Sequence, residues 1–165
     1  MTTDIIETQV RKLAKLSEAQ GVMIATAESC TGGGIATAIT ELAGSSAWFD
    51  AGFVTYSNQA KNKMLDVPSD LIEVHGAVSE EVVLAMAKGA VANSQAQLSV
   101  AVSGVAGPGG GSELKPVGTV WIAWQSPAKS VSQVFQFSGD RHSVRLQTIE
   151  QALSGLIKLL DKNTV

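Results

Sequence analysis

Residue types that carry much of protein chemistry are scarce in this sequence. One cysteine among 165 residues cannot form an internal disulfide, and two histidines provide no clustered metal-ligand pattern. We therefore expect a protein without a metal site. Each histidine, His75 in a polar loop and His142 at a predicted helix start, is expected at the surface.

Positive charge and long apolar runs are equally limited. The net charge is −3 and no basic run occurs, which argues against a nucleic-acid-binding groove. No apolar stretch approaches the roughly 20 residues that a helix needs to cross a bilayer. The first residues also lack the basic and apolar regions of a secretory signal peptide. We therefore expect a cytoplasmic protein that binds neither nucleic acid nor a membrane.

What the sequence does contain is typical of one globular domain, residues 1–165. Apolar residues make up 45% and charged residues 16%. Apolar residues recur at helical spacing over 4–20, whereas Val22–Ala27 is a nearly unbroken apolar run, as in a strand buried on both faces. The other predicted helices are 30–43, 59–66, 80–94 and 140–160, with a loop or short helix over 68–78, and the other predicted strands are 48–57, 98–103, 117–124 and 130–137. This order predicts the α/β class: a three-layer α/β/α domain with a mixed, mostly parallel sheet and a late antiparallel hairpin.

The stretch Ala27–Gly34 is predicted to be a tight turn between the first strand and the next helix. A hydroxyl at Ser29 would then stand above the end of the sheet, beside unpaired N–H groups of the helix start. Such groups stabilise a ligand phosphate or the oxyanion of acyl transfer. The structural alternative is a glycine-loosened turn that Ser29 or Thr31 caps.

A serine nucleophile needs a base, and histidine is scarce here. A lysine removed from water can have its pKa lowered enough to serve. Lys61, Lys63 and Tyr56 are the candidates near a predicted strand end, with Tyr56 as a proton relay or as a group that holds Lys61. The alternatives are a solvated helix charge for Lys61 and an amphipathic strand-end residue for Tyr56.

Cys30 competes with Ser29 as the nucleophile. A helix N-terminus would favour its thiolate. Its place next to the strand instead favours a side chain that points into the core, where a free cysteine acts as a small apolar residue. Burial is the interpretation we prefer.

Two further segments are suited to bind an anion. The glycine-rich loop from Ser103 to Ser112 matches neither the P-loop pattern nor Gly-x-Gly-x-x-Gly, yet its backbone can approach a ligand closely. A flexible hairpin loop is the alternative. Arg141 and Arg145 share one face at the start of the last helix, where an anionic substrate group or a salt bridge to Asp140 would explain them.

Six separated motifs occur in the order of one known family. They are Thr26–Gly33, Gly44–Phe49, Gly52–Asn58, His75–Ser79, Ser103–Pro108 and Lys115–Val120. This succession resembles the CinA C-terminal domain family, in its stand-alone nicotinamide-nucleotide amidase group, from about residue 5 to 160. We therefore expect the stand-alone form, without the N-terminal domain of longer CinA proteins and without that domain's pyrophosphatase chemistry.

The resemblance implies hydrolysis of the carboxamide of nicotinamide mononucleotide, in bacterial pyridine-nucleotide salvage. It implies no metal and no cofactor, and a family that is often homodimeric. The family's catalytic serine, tyrosine and lysine fall on Ser29, Tyr56 and Lys61. The residues expected at the substrate are Thr31, Gly32, Ser103, Gly104, Gly107 and Arg141. The phosphate is expected against the Gly104–Gly110 loop or Arg141.

Two other functions share these residues and stay open at this point. A non-catalytic nucleotide-binding regulatory module would use the same anion-binding turns without a working Ser29–Lys61 pair. A thiol enzyme would use Cys30 in place of Ser29. Replacing Ser29 and Cys30 separately by alanine distinguishes the three.

Overall fold

The computed structural model describes residues 3–161, which form a five-stranded sheet with helices on both faces. The helices are α1 (Asp4–Gln20), α2 (Gly34–Thr40), α3 (Asn58–Leu65), α4 (Ser69–His75), α5 (Glu80–Ala92) and α6 (Arg141–Leu160). The strands are β1 (Ile24–Glu28), β2 (Phe49–Val54), β3 (Leu98–Gly104), β4 (Thr119–Gln125) and β5 (Ser130–Gln136). A 3₁₀ turn covers Ser45–Ala47.

The strand order across the sheet is β2-β1-β3-β4-β5. β1 pairs in parallel with β2 and β3, whereas β4 pairs antiparallel with β3 and β5. Within the described residues β4 is therefore the one strand that runs against the other four. The mixed sheet and the late hairpin predicted from the sequence are confirmed.

Alternate side chains of the central strands build two cores. Ile24, Val100 and Ile122 point to the face that α1, α2 and α6 cover, and all three are fully buried. Ala25 and Ala101 point to the opposite face, beneath α3, α4 and α5. Large residues on one face and small ones on the other set the distance at which each helix layer packs. The three-layer arrangement is confirmed.

The main difference from the predicted boundaries lies after β1. α2 begins at Gly34 and not at residue 30, because Gly32 and Gly33 adopt left-handed conformations with φ of 59° and 98°. Only glycine takes up that backbone readily, so the glycines form the turn and delay the helix. The segment 68–78, predicted as a loop or a short helix, contains α4. Across residues 3–161 no helix is long and apolar enough to cross a membrane.

Candidate active site

The carboxyl ends of the three parallel strands bring the predicted segments together. Ser29 follows β1, Tyr56 lies two residues beyond β2, and the glycine-rich loop follows β3. One cavity of about 280 Å³ is lined by Ser29, Cys30, Tyr56, Gly104, Val105, Ala106, Gly107, Gly109, Gly110, Gly111 and Arg141. Open α/β sheets bind ligands at this edge, and the volume suits a small molecule.

The central pair of the site is Ser29 and Lys61. Lys61 Nζ lies 3.1 Å from Ser29 Oγ and donates a second hydrogen bond of 2.9 Å to the Thr55 carbonyl. The lysine is 1% exposed, and its burial lowers its pKa below the ordinary value of 10.5. Lys61 is therefore not a solvated helix charge, and its neutral form is favoured more than in water.

Local sequence places Lys61 at this depth. Ser57 caps α3 by accepting a hydrogen bond of 3.0 Å from the Ala60 N–H. Lys61 and Leu65 follow four residues apart on one helical face, and both are buried. Leu65 packs in the core under α5, so the amine on the same face reaches inward toward Ser29.

Tyr56 has a different partner from the one that the sequence interpretation gave it. Its hydroxyl accepts a hydrogen bond of 2.9 Å from Arg141 Nη2, and the side chain is 60% exposed. Arg141 Nη1 donates to the Gly107 carbonyl at 2.7 Å. The second partner of Lys61 is the Thr55 carbonyl and not Tyr56. Arg141 thus joins the end of β2 to the glycine-rich loop across the cavity.

The two arginines of α6 act on different segments. Arg145 Nη2 donates to the Thr31 carbonyl at 3.0 Å, on the turn that carries Ser29. No salt bridge joins Asp140 to either arginine among residues 3–161. The Asp140 carboxylate instead caps α6 by accepting a hydrogen bond of 2.9 Å from the Ser143 N–H. Arg141 also lines a neighbouring cavity of about 640 Å³ together with His142 and Arg145.

The expected role of the helix start after Ser29 needs correction. The N–H groups of Ile35 and Ala36 at the beginning of α2 already donate to the Glu28 carboxylate, at 2.8 and 3.0 Å. Thr31 Oγ1 donates to the same carboxylate at 2.5 Å. These N–H groups at the start of α2 and the Thr31 hydroxyl therefore already have an acceptor, and they are not available to bind an oxyanion or a phosphate.

The other predicted binding residues divide into two groups. Gly104 and Gly107 line the cavity with Arg141, whereas Thr31, Gly32 and Ser103 are not among its lining residues. Ser103 is 1% exposed and lies opposite Trp121 in the β3–β4 ladder. It is thus part of the sheet beneath the site.

Cys30 lines the cavity but is 6% exposed. Burial raises the pKa of its thiol to about 11, with a smaller contribution in the same direction from the Glu28 charge. A thiol protonated at neutral pH is a poor nucleophile. The buried, apolar role predicted for Cys30 is the one that the structure supports.

The two histidines are exposed, as predicted. His75 Nδ1 lies 3.7 Å from Glu81 Oε2 near the start of α5. In the described part of the chain, no group of three His, Cys, Asp or Glu side chains is arranged to hold a metal ion.

Sequence reasoning missed Glu28 and Thr55, and it expected Arg145 at an anionic substrate group or at Asp140 and not at the Thr31 carbonyl. One signal for Glu28 was available: it is the one charged residue of a buried, mostly apolar strand, and it stands at the end of that strand. Such a carboxylate must find hydrogen-bond donors, which points to the turn that follows it. The Arg145 contact joins residues 114 positions apart and has no local signal, whereas the hydrogen bond from Lys61 to the Thr55 carbonyl spans six positions and depends on how α3 folds back on the end of β2.

Fold and site together define a class: a three-layer α/β/α domain with a serine paired to a buried lysine at the carboxyl edge of its sheet. The sequence matches the CinA C-terminal domain family over residues 6–160, and the chain belongs to this family.

Similar proteins cover nearly the whole chain. The chain is 55% identical to the nicotinamide-nucleotide amidohydrolase PncC of Pseudomonas putida, over 94% of this chain and 98% of that protein. It is 51% identical to the protein of the same name from Escherichia coli strain K12, over 89% and 90%. The crystal structure of the competence/damage inducible protein CihA from Agrobacterium tumefaciens superposes with a TM-score of 0.93 at 44% identity, over 96% of this chain and 98% of that one.

Proposed function

We propose that this protein hydrolyses the carboxamide of nicotinamide mononucleotide to nicotinic acid mononucleotide and ammonia. The observation that carries the proposal is the buried Lys61 amine 3.1 Å from Ser29 Oγ, a hydroxyl that lines a cavity. A lysine with a lowered pKa serves as a general base near neutral pH. Two relatives at 51 and 55% identity are named nicotinamide-nucleotide amidohydrolase, which supports the choice of substrate.

The first half of the reaction forms an ester on Ser29. Neutral Lys61 keeps one N–H on the Thr55 carbonyl, and its lone pair takes the Ser29 proton as Oγ bonds to the amide carbon. The carbonyl oxygen becomes an oxyanion. Our candidate donor to it is the Cys30 N–H, which has no backbone acceptor within residues 3–161. The C–N bond then breaks, and the proton held by Lys61 leaves with the nitrogen as ammonia.

The second half returns the enzyme to its starting state. Lys61 takes a proton from water, the resulting hydroxide attacks the ester carbon, and Ser29 leaves with the proton from Lys61. We assign Tyr56 to relay of the proton from Lys61 to the leaving nitrogen, because its hydroxyl borders the cavity, accepts from Arg141 and keeps its own hydrogen to donate. No step requires a metal ion.

The phosphate of the substrate lies against the Gly104–Gly110 loop or Arg141 in this proposal. Both line the cavity, and the Arg141–Gly107 hydrogen bond holds them together. Fixed phosphate contacts orient the carboxamide at Ser29, so free nicotinamide is turned over poorly. Pyridine-nucleotide salvage in the cytoplasm, by a homodimer, is the setting that we propose for the reaction.

The experiment that tests the proposal is ammonia release from nicotinamide mononucleotide, with and without a chelator. The variants are Ser29→Ala and Cys30→Ala. Chelator-resistant release that disappears in Ser29→Ala and persists in Cys30→Ala supports a metal-free serine amidohydrolase. Loss in Cys30→Ala alone would favour a thiol enzyme. Nucleotide binding without release by the wild type would favour a binding module.

A further inference from the structure

The proposed reaction does not use the Glu28 carboxylate, although Glu28 directly precedes Ser29. This side chain is fully buried at the end of β1. Its hydrogen-bond partners, Thr31 Oγ1, Ile35 N and Ala36 N, all donate to it. No ion pair of Glu28 occurs among residues 3–161. A buried carboxylate is costly unless such donors surround it, so the turn must keep its shape around the side chain.

The three hydrogen bonds clamp the turn that carries the nucleophile. Thr31 lies inside the turn, and the other two donors lie at the start of α2. The Gly32 N–H donates to the Ser29 carbonyl at 3.0 Å, which closes the same turn. The Glu28 side chain therefore fills the inside of a loop of which Ser29 is the first residue.

The main chain of Glu28 also reaches toward the base. Its carbonyl accepts a hydrogen bond of 2.8 Å from the Thr55 N–H. The Thr55 carbonyl in turn accepts the hydrogen bond of 2.9 Å from Lys61 Nζ. One residue thus connects to both members of the pair, to Ser29 by the peptide bond and to Lys61 through Thr55.

We propose that Glu28 is a positioning residue, whose carboxylate holds the Ser29 turn so that Oγ stays within proton-transfer distance of Lys61. The inference rests on the proposed function, in which Ser29 attacks and Lys61 takes its proton. Glutamine is not an adequate replacement, because its amide nitrogen would face an N–H donor of α2. A displacement of the reacting atoms by about 1 Å costs on the order of 100-fold in rate.

The test compares Glu28→Gln, Thr31→Val and Thr31→Ser with the wild type. Glu41→Gln is the matched control, because it makes the same chemical change at an exposed position at the other end of α2. Two readouts are used, each normalised to the folded fraction. One is kcat and KM for ammonia release from nicotinamide mononucleotide. The other is the labelling rate of Ser29 by a fluorophosphonate, which reports the nucleophile without the natural substrate.

Glu28→Gln is expected to lower kcat and the labelling rate by about 100-fold, with KM near the wild-type value. Thr31→Val is expected to show a smaller loss in the same direction, and Thr31→Ser, which keeps the hydroxyl, to restore the rate. The acid limb of the kcat/KM profile should stay at the same pH in Glu28→Gln, since Lys61 keeps its burial and its hydrogen bond to the Thr55 carbonyl. Glu41→Gln should match the wild type.

The inference would be overturned if Glu28→Gln and Thr31→Val both had the wild-type kcat and the wild-type labelling rate per folded molecule. A raised KM with unchanged kcat in Thr31→Val would also overturn it, because Thr31 would then contact substrate. If Glu28→Gln does not fold, the Thr31→Val and Thr31→Ser pair decides. A wild type that is labelled at Ser29 but releases no ammonia would refute the substrate alone. A wild type that is not labelled at Ser29 would refute both proposals.

Discussion

Lys61 shows how burial changes the chemistry of one side chain. A lysine amine is normally hydrated and charged, whereas this one is 1% exposed and touches a carbonyl and a hydroxyl. Moving it out of water disfavours the ammonium and lowers its pKa. The same desolvation suits the lysine to the proposed role of base for Ser29 and makes its charged form a cost to the folded state.

Replacing Lys61 by Met should abolish turnover and remove a pH dependence of stability. The lowered pKa means that the unfolded chain binds the proton more tightly than the folded protein does. Wild-type stability should therefore fall as the pH drops from 10.5 toward the lowered pKa. In Lys61→Met this contribution disappears. Urea unfolding of both proteins from pH 7 to 10.5 measures the contribution of Lys61 as the difference between their free energies of unfolding. Cys30 contributes a pH dependence of opposite sign in both proteins, so its contribution cancels in the difference.

The matched variant Lys61→Arg keeps the charge but cannot act as a base, since arginine stays protonated at every accessible pH. It should also be inactive. Turnover by Lys61→Arg with the wild-type acid limb would show that another group takes the Ser29 proton.

Replacing Arg141 by Gln should lower kcat/KM for nicotinamide mononucleotide by about 10- to 100-fold, because a hydrogen bond to a charged group contributes about 1.5–3 kcal/mol. The value for free nicotinamide, which has no phosphate, should change little. Steady-state kinetics with both substrates gives the comparison, and His142→Gln is the control at the neighbouring exposed position. Equal losses on both substrates would mean that Arg141 supports Tyr56 and the loop instead of the phosphate.

At the scale of the element, α3 depends on α5 for its position. An eight-residue helix is marginal alone, so packing must hold it. Leu65 at its end is buried under α5, and Asn93 at the end of α5 donates to the Asp66 carboxylate at 3.1 Å. Gly89 of α5 provides the space: a Cβ there would overlap the Leu65 carbonyl oxygen. The depth of Lys61 is therefore set by a glycine on another helix.

Replacing Gly89 by Ala should destabilise the protein by about 1–3 kcal/mol, because the added methyl forces α3 and α5 apart. Turnover should fall as well, since Lys61 moves with α3. Urea unfolding and ammonia release measure the two effects. Gly109→Ala is the stability control, because its Cβ would meet no atom within 4 Å. The free energy of unfolding of Gly109→Ala should stay within about 0.5 kcal/mol of the wild-type value. An equal loss of stability in Gly89→Ala and Gly109→Ala would refute the packing argument.

At the scale of the whole molecule, the site joins segments that no single element contains. The strand ends of β1, β2 and β3, the glycine-rich loop and the start of α6 all border the cavity. A ligand that contacts them all binds only the folded chain. Substrate binding should therefore raise the free energy of unfolding of the protein.

Nicotinamide mononucleotide should raise the melting temperature of Ser29→Ala, in which it binds without being consumed. At a ligand concentration 100 times Kd the stabilisation is about 2.7 kcal/mol, by mass action. A thermal scan against ligand concentration measures it, and the double variant with Arg141→Gln should need more ligand for the same shift. The absence of any shift at millimolar ligand would argue against this nucleotide as the ligand.

Much of the fold followed from local patterns. The helical spacing over 4–20 and the apolar run of β1 are short-range signals, and each predicted its element. The start of α2 was predicted too early, because an apolar pattern does not register two left-handed glycines. Ser29, Tyr56 and Lys61 were predicted as site residues from the order of the motifs together with the rule that ligands bind at strand ends.

What the sequence determined by itself is therefore the set of elements, their order and the candidate nucleophile and base, since each depends on neighbouring residues. The tertiary structure alone decided which groups touch. Lys61 meets Ser29 across 32 positions, Arg141 meets Gly107 across 34 and Tyr56 across 85. Burial of Lys61, and hence its lowered pKa, exists only once α3 is packed beneath α5. The lowered pKa of the Lys61 amine comes from its removal from water, and that removal is a property of the packed molecule.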